Sequence, residues 1–239
     1  MSMFEAYITN LGLYPERGVE VGEYLKFPAT TEELQALLSR IEVDGRRYEE
    51  IFITDFQSDV LGLYDYIDEY ESIDELNHLA HVLEEVQEQG DIEKFEAALA
   101  YGEHTHSVKD LINLAQNLDC YDFYPGVENE EDLGRYYIDE FQSLAIPGDI
   151  LPYFDYEAYG RDIDLSGSGC FAPGGYVAAD TGCFTEYYHR PEDMPEEHKI
   201  FAYPEEKEAA QSILQTIKEF KEAPPIPRKD KAGPHHEER

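Results

Sequence analysis

Three short segments near the N-terminus alternate hydrophobic and polar side chains with the period of two that is typical of β-strands. They are FEAYITN at residues 4–10, GVEVGEYLKFP at 18–28 and EIFITDF at 50–56. Between the last two, TTEELQALLSR opens with threonine and acids and places Leu34, Leu37 and Leu38 on one helical face. The pattern predicts a three-stranded sheet with one helix over it, in a domain covering residues 1–71.

The middle of the chain has the period of a helix instead. Ser72 and Glu75 form a capping-box pattern, after which apolar residues recur at helical spacing until Gly90. These apolar residues are Ile73, Leu76, Leu79, Leu83 and Val86. Asp91 is placed to begin a shorter helix, and SVKDLINLA at 107–115 predicts another helix with a similar cap. We therefore expect a helical domain over residues 72–117.

The next segment, residues 118–190, is predicted to be a mixed α+β domain. NEEDLGRYYIDEF at 129–141 has an asparagine cap and first-turn acids, which favour a helix. LPYFDYEAYGRD at 151–162 predicts a short aromatic helix or turn, and the residues from Ile163 to Tyr188 predict strands joined by glycine-rich turns.

Residues 191–239 differ in character and are predicted to be an extension. An amphipathic helix there would carry Ile213, Leu214, Ile217 and Phe220 on one side, and a proline-rich tail after it is predicted to be disordered. The fold class expected for the whole chain is α+β, as an elongated chain of three small domains with this C-terminal extension.

The chain is strongly acidic. Its 239 residues include 53 acids but only 18 bases, which gives a net charge of -35. Residues 48–160 carry 29 acids and 3 bases, a net -26, although 42% of the chain is hydrophobic and can build cores. Such a surface repels nucleic acid and anionic membranes and attracts basic partners. A solvated charged face or halophilic adaptation is the simplest interpretation of charge alone.

The placement of the acids favours a more specific interpretation. On the helix after Ser72 they lie off the apolar stripe and form a ridge, and elsewhere they stand in loops or at helix starts. The candidate surface comprises Asp65, Asp68, Glu69, Glu71, Asp74, Glu75, Glu84, Glu85, Glu88, Asp119, Asp122, Glu130, Glu131, Asp132, Asp139 and Glu140. Laid out linearly, a net charge of -26 equals that of roughly 44 Å of DNA duplex, about 13 base pairs. Carboxylates on outward ridges can stand where phosphates would.

No motif for catalysis, a metal ion or a cofactor competes with this interpretation. The glycines in GSGCFAPGG at 167–175 lack the lysine and following helix of a phosphate-binding loop. The histidine pairs 78/81 and 104/106 lack metal-site spacing, and nothing orients Cys170, Cys183 and His189 as a nucleophilic site. We predict no catalytic residues, no metal and no cofactor.

The three cysteines are odd in number and without framework spacing, which is typical of a reduced, cytoplasmic protein. The N-terminus has no secretion signal pattern, and no apolar run approaches the ~18 residues that a membrane span needs. We therefore expect a cytoplasmic protein that does not enter a membrane.

Four stretches resemble the ArdA family of antirestriction proteins, in order and with similar spacing from about Ala6 to Tyr188. They are YITNLGLYPERGVEVGEYLKFP, DEYESIDELNHL, RYYIDE and YFDYEAYGRDIDLSG. The sequence departs from the family pattern at Tyr24, where tryptophan is frequent, in a longer glycine-rich hairpin, and in the residues after Arg190.

The resemblance implies three-domain α+β proteins that mimic bent DNA and occupy the DNA-binding groove of type I restriction–modification enzymes, protecting incoming mobile DNA. It also implies a homodimer formed by the third domain, where Phe154, Tyr156 and Tyr159 make the sequence densely aromatic. The expected partners are the specificity and modification subunits of such an enzyme, not nucleic acid or membrane. An acidic, chaperone-like binding module for basic proteins and an acidic enzyme of halophile type remain the alternatives.

Overall fold

The first sheet is antiparallel, with the strand order β2-β1-β3, in a computed structural model that describes residues 2–180 and 182–204. Its strands are β1 (Phe4–Asn10), β2 (Gly22–Phe27) and β3 (Ile51–Ser58). Tyr7 of β1 pairs with Tyr24 and Asp55, and the register towards β3 shifts after Tyr7. The prediction of three strands is confirmed. β2 is shorter than predicted, because Gly18 has a φ of +62° and residues 18–21 form a 3₁₀ turn.

Two short helices accompany this sheet, α1 (Tyr14–Arg17) and α2 (Thr31–Arg40). The N-terminus of α2 is a complete capping box, because the Thr30 hydroxyl accepts from the Glu33 amide and the Glu33 carboxylate accepts from the Thr30 amide. Leu34, Leu37 and Leu38 are buried in the core that α2 shares with the sheet, as predicted.

The middle of the chain is helical as predicted, with α3 (Ile73–Gln89), α4 (Ile92–Tyr101) and α5 (Val108–Gln116). The Ser72 hydroxyl caps α3 by accepting from the Glu75 amide, and Gly90 ends this helix in the left-handed region at φ +83°. Ser107 caps α5 in the same way through the Asp110 amide. The predicted apolar stripe of α3 is buried along its whole length.

The third segment contains an antiparallel sheet of order β4-β6-β5 and two helices. Its elements are β4 (Tyr121–Pro125), α6 (Glu130–Asp139), α7 (Tyr156–Ser166), β5 (Gly169–Ala172) and β6 (Gly175–Ala179). Gly134 of α6 and Gly160 of α7 let the two helices touch backbone to backbone, since a Cβ on either would overlap a carbonyl of the other helix. The expectation that strand begins at Ile163 is wrong, because α7 continues to Ser166 from its Asp155 cap.

The core consists of two clusters of buried apolar side chains. The larger cluster joins the first sheet and α2 to α3, α4 and α5, and it extends to Tyr121 and Val177 of the second sheet. The smaller cluster is centred on Tyr124, Leu133 and Tyr176. The fold class is therefore mixed α+β with two small antiparallel sheets, whereas the division at residues 71, 117 and 190 into three domains stays a prediction. The predicted helix around Ile213 and the tail lie outside the described residues.

The expectation of three reduced cysteines is wrong, since Cys120 and Cys183 form a disulfide. They are 63 residues apart, so spacing along the chain gave no signal. Antiparallel pairing of Tyr121 with Ala179, and a 2.8 Å hydrogen bond from the Asp180 amide to the Cys120 carbonyl, bring the two residues together. Cys170 remains a free thiol, and its partial burial raises its pKa. Within the described residues, no helix is both long and apolar enough to cross a membrane.

Candidate functional site: the acidic surface

Asp65, Asp68 and Glu69, hereafter the open acids, lie in the connection between β3 and α3 and are all exposed. Leu63, which is fully buried in a 3₁₀ turn, and the 2.7 Å hydrogen bond from the Ile53 amide to the Glu69 carbonyl fix this connection. The backbone is thus held to the sheet while the three carboxylates face solvent. None of the three makes a hydrogen bond or ion pair to another described side chain.

The solvent side of α3 carries a second group of acids. Glu85 and Glu88 are exposed, whereas Glu84 is half-buried, with a carboxylate oxygen 3.8 Å from His81 Nδ1. Leu83, which precedes these acids, and Val86, which lies between Glu85 and Glu88, are buried in the core. The helical period therefore places these acids away from the apolar stripe, as the sequence predicts.

The candidate acids of the third segment are less uniform. Asp119, Asp139 and Glu140 are exposed near the ends of secondary structure elements, and Asp122 is exposed on β4 itself, not in a loop as expected. An edge position explains this, because β4 pairs only with β6 and alternate side chains of a strand face solvent.

Two of the three acids at the start of α6 have partners in the helix or just before it. Glu131 forms a 2.7 Å ion pair with Arg135, and Asp132 accepts hydrogen bonds from the Asn129 side chain and the Glu128 amide. Glu130 is half-buried. These three carboxylates support the helix N-terminus, where the helix dipole favours negative charge.

Asp74 and Glu75, hereafter the anchored acids, are half-buried and engaged by residues far along the chain. Asp74 Oδ1 accepts from the backbone amides of Ile200 and Phe201, both at 2.7 Å. Glu75 Oε1 accepts from the Tyr188 hydroxyl at 2.7 Å. The predicted capping box is therefore only half-formed, because the Glu75 side chain turns to Tyr188. The sequence offered no signal for these long-range contacts.

The remaining member of this stretch, Glu71, is half-buried between the open and anchored acids. Burial raises its pKa, and the nearby charges of Asp68 and Glu75 add to that effect. The same cause raises the pKa of Glu96, whose carboxylate accepts from the Leu61 amide at 2.9 Å. Burial is therefore the main cause of both shifts, and neighbouring acids add to it.

Several basic side chains are already paired with acids. Arg17 pairs with Glu42, Arg40 with Glu23, Lys109 with Glu186 and Arg161 with Glu157. Exposed pairs of this kind are individually weak, but each cancels charge locally. These bases therefore do little to neutralise the acids that have no partner.

The expected dimer residues form one aromatic cluster at the start of α7. The Phe154 ring lies 5.1 Å from Tyr156 and 5.7 Å from Tyr159, and all three side chains are half-buried. The Arg135 guanidinium covers Tyr156 at 4.3 Å. Next to this cluster Tyr153 is 85% exposed, so apolar surface is available there.

The arrangement of the described side chains supports neither a nucleophilic site nor a metal site. Cys183 is in the disulfide, which removes it from the nucleophilic combination with Cys170 and His189. In the part of the chain that the structure describes, no group of three or more His, Cys, Asp or Glu side chains is placed to hold a metal ion.

Comparison with known proteins gives one family match. Among curated proteins, none matches this chain. Residues 6–178 match the family model described as antirestriction protein (ArdA), which covers more than half of the 239 residues. The match includes α3 and both sheets, except for Phe4 and Glu5 of β1 and Ala179 of β6. The chain therefore belongs to the ArdA family of antirestriction proteins.

Proposed function

We propose that this protein inhibits type I restriction–modification enzymes by mimicking DNA and occupying the groove in which their specificity and modification subunits hold DNA. Membership of the ArdA family supports an antirestriction role in which the protein is an inhibitor and not an enzyme. The finer mechanism is supported by the surface chemistry. A groove that binds DNA presents basic side chains, and these attract an array of carboxylates.

The observation that carries the proposal is a set of exposed carboxylates without described partners. Asp65, Asp68 and Glu69 precede α3, Glu88 lies on its solvent side, and Asp122 and Glu140 lie in the third segment. A folded chain gains no stability from such acids, because like charges repel. The destabilising repulsion among these acids is understandable if their charge is what binds to a basic groove.

The proposed inhibition is stoichiometric occupancy without a chemical step. A gel-shift competition tests it, with a purified type I methyltransferase, labelled target DNA and increasing amounts of the protein. Displacement of DNA should be complete at a fixed ratio of protein to enzyme and should reverse when DNA is added in excess. Time-dependent loss of enzyme activity at substoichiometric protein would contradict occupancy.

The same assay separates mimicry from a general acidic binding module. An unrelated basic protein, added in molar excess over the methyltransferase, should leave the inhibition unchanged if binding is selective. Relief of inhibition in proportion to the added basic protein would favour the chaperone-like alternative. We place the action in the cytoplasm, where incoming DNA meets restriction enzymes.

We further propose that the protein acts as a homodimer joined around Phe154, Tyr156 and Tyr159. The exposed Tyr153 beside this cluster supplies apolar surface that an interface would bury. Light scattering at micromolar concentration should give twice the 27.5 kDa mass of one chain. A mass of one chain at that concentration would count against the dimer.

A further inference from the structure

Residues 185–204, hereafter the strap, follow the matched family region and run across α5 and α3 towards the first sheet. Asn113 of α5 holds the beginning of the strap, because its Oδ1 accepts from the Tyr187 and Tyr188 amides and its Nδ2 donates to the Tyr188 carbonyl. Asn117 accepts from the Thr185 amide at 2.9 Å. Buried asparagines thus replace the strand partner that this segment lacks.

The second half of the strap is held by α3, by α2 and by the segment that precedes β3. Asn77 of α3 donates to the His198 carbonyl at 3.0 Å, while its Oδ1 accepts from the Ala29 amide at 2.7 Å. Tyr203 accepts from Gln35 through its carbonyl and donates to the Glu49 carbonyl through its hydroxyl. Together with the two amides bound by Asp74, these contacts connect the strap to three different parts of the fold.

Three histidines meet where the strap crosses α3. His78 Nδ1 lies 2.8 Å from His198 Nδ1, a hydrogen bond in which one ring donates and the other accepts. The His81 ring stacks on His198 with centroids 4.1 Å apart and planes at 13°. His78 is buried, and Tyr188 of the strap lies edge-on to it at 5.3 Å. The strap is therefore closed over α3 by three packed imidazole rings.

Protonation opposes this arrangement. A first proton creates a cation among packed rings, of which His78 is buried, and a second removes the lone pair that accepts the Nδ1 hydrogen bond. Burial, followed by the His198 and His81 rings, lowers the pKa of His78 from 6.5 to about 4. Burial and His81 also lower the pKa of His198, against the opposing charges of Glu197 on the strap and Glu85 on α3.

We propose that the strap is a pH-sensitive device, which the His78–His198 pair holds closed at neutral pH and opens in mild acid while the rest of the fold stays intact. Release would free Asp74 and Glu75 from their partners and return both carboxylates to solvent. Any effect of this release on inhibition rests on the proposed function, whereas the release itself does not. We therefore choose a test that contains no restriction enzyme.

The direction follows from proton linkage. Because the pKa of His78 is lower when the strap is closed, the open state binds more protons between pH 6.5 and about 4. The closed state has its full stability relative to the open state above pH 6.5, and this stability decreases as the pH falls through that window. For His78 alone, the ratio of open to closed strap should rise about 20–30-fold between pH 7.5 and pH 5.0.

Amide hydrogen exchange by mass spectrometry tests this on the full chain, with rates corrected for the intrinsic effect of pH. The readout is the protection of peptides that contain the bound amides of Thr185, Tyr188 and Ile200, with peptides of β1 and β3 as an internal reference. The variant His78→Gln/His198→Gln removes the titrating pair. The matched control is His189→Gln, an exposed strap histidine 3.4 Å from Glu186.

We expect the protection of the strap to fall about 20–30-fold between pH 7.5 and 5.0 in the wild type and in His189→Gln, and less than about threefold in the double variant. If the double variant has no strap protection at pH 7.5, His78→Gln alone takes its place. Unchanged protection of the wild-type strap would overturn the proposal. So would an equal fall in the variant without the pair, or a simultaneous loss of protection in β1 and β3.

Discussion

The open acids Asp65, Asp68 and Glu69 and the anchored acids Asp74 and Glu75 lie within eleven consecutive residues, yet the fold treats them differently. The open acids face solvent without a described partner. The anchored acids accept hydrogen bonds from the strap at 2.7 Å. Acidity along a sequence therefore does not define a ligand surface. A carboxylate is available to a partner protein only where the rest of the chain has not already bound it.

Reduction of the Cys120–Cys183 disulfide is the strongest expected disturbance of the anchored side, because Cys183 lies two residues before the strap. The bond closes a segment with a sequence separation of 63 residues, and its loss should lower the free energy of unfolding by about 2–4 kcal/mol. Urea unfolding with and without dithiothreitol measures this effect, and Cys170→Ser is the control that should keep the same response.

A thiol count provides the contradicting outcome. The denatured, unreduced chain should contain one reactive thiol, that of Cys170, and the reduced chain should contain three. Three reactive thiols before reduction, together with no effect of dithiothreitol on unfolding, would contradict this prediction. They would mean that no bond between Cys120 and Cys183 stabilises the anchored side.

Asp74→Ala should be the next largest disturbance. The substitution removes an ionised acceptor from two backbone amides, and hydrogen bonds to charged groups contribute about 1.5–3 kcal/mol. We expect the free energy of unfolding to fall by about 2 kcal/mol, measured by urea denaturation at pH 7.5. Asp65→Ala is the matched control, for which the change should stay within about 0.5 kcal/mol. Equal effects of the two substitutions would remove the distinction between anchored and open acids.

The open acids should matter for binding instead. Neutralising all three, as Asp65→Asn/Asp68→Asn/Glu69→Gln, removes weak charge pairs that add at separate sites, about 0–1 kcal/mol each. We expect a several-fold loss of affinity in competition with DNA for a type I methyltransferase, and a smaller loss at high salt.

A control with the same change of charge makes this result specific. Glu16, Glu20 and Glu32 are exposed acids outside the candidate surface, and their replacement by glutamine should leave the affinity nearly unchanged. If both triple variants lose affinity equally, net charge alone determines binding and the open acids have no special part.

The smallest expected effect is a gain in stability. Neutralising the open acids relieves repulsion with Glu71 and its neighbours, so the same variant should be stabilised by a few tenths of a kcal/mol at low salt. Thermal melting at two salt concentrations measures it, and the gain should shrink as salt screens the charges. A lower melting temperature at both salt concentrations would mean that these carboxylates support the fold in a way that their exposure does not reveal.

The sequence determined the elements whose causes are local. The cap at Ser72, the buried stripe from Ile73 to Val86 and the end at Gly90 all depend on residues within a turn or two of one another, and each was predicted correctly. The first sheet, the glycine-rich β5–β6 hairpin and the exposed acids of α3 were predictable for the same reason. The family was recognisable because its motifs are contiguous stretches of sequence.

Contacts between distant parts of the chain determine which acids are anchored and which cysteines are paired. Glu75 meets Tyr188 across 113 residues, Asp74 meets Phe201 across 127, and Cys120 meets Cys183 only because β6 returns beside β4. No periodicity connects residues so far apart in the chain. The Ser72–Glu75 pattern predicted a complete capping box, but the carboxylate bonds to the Tyr188 hydroxyl instead, since a distant partner competes for the same lone pairs once the chain has folded.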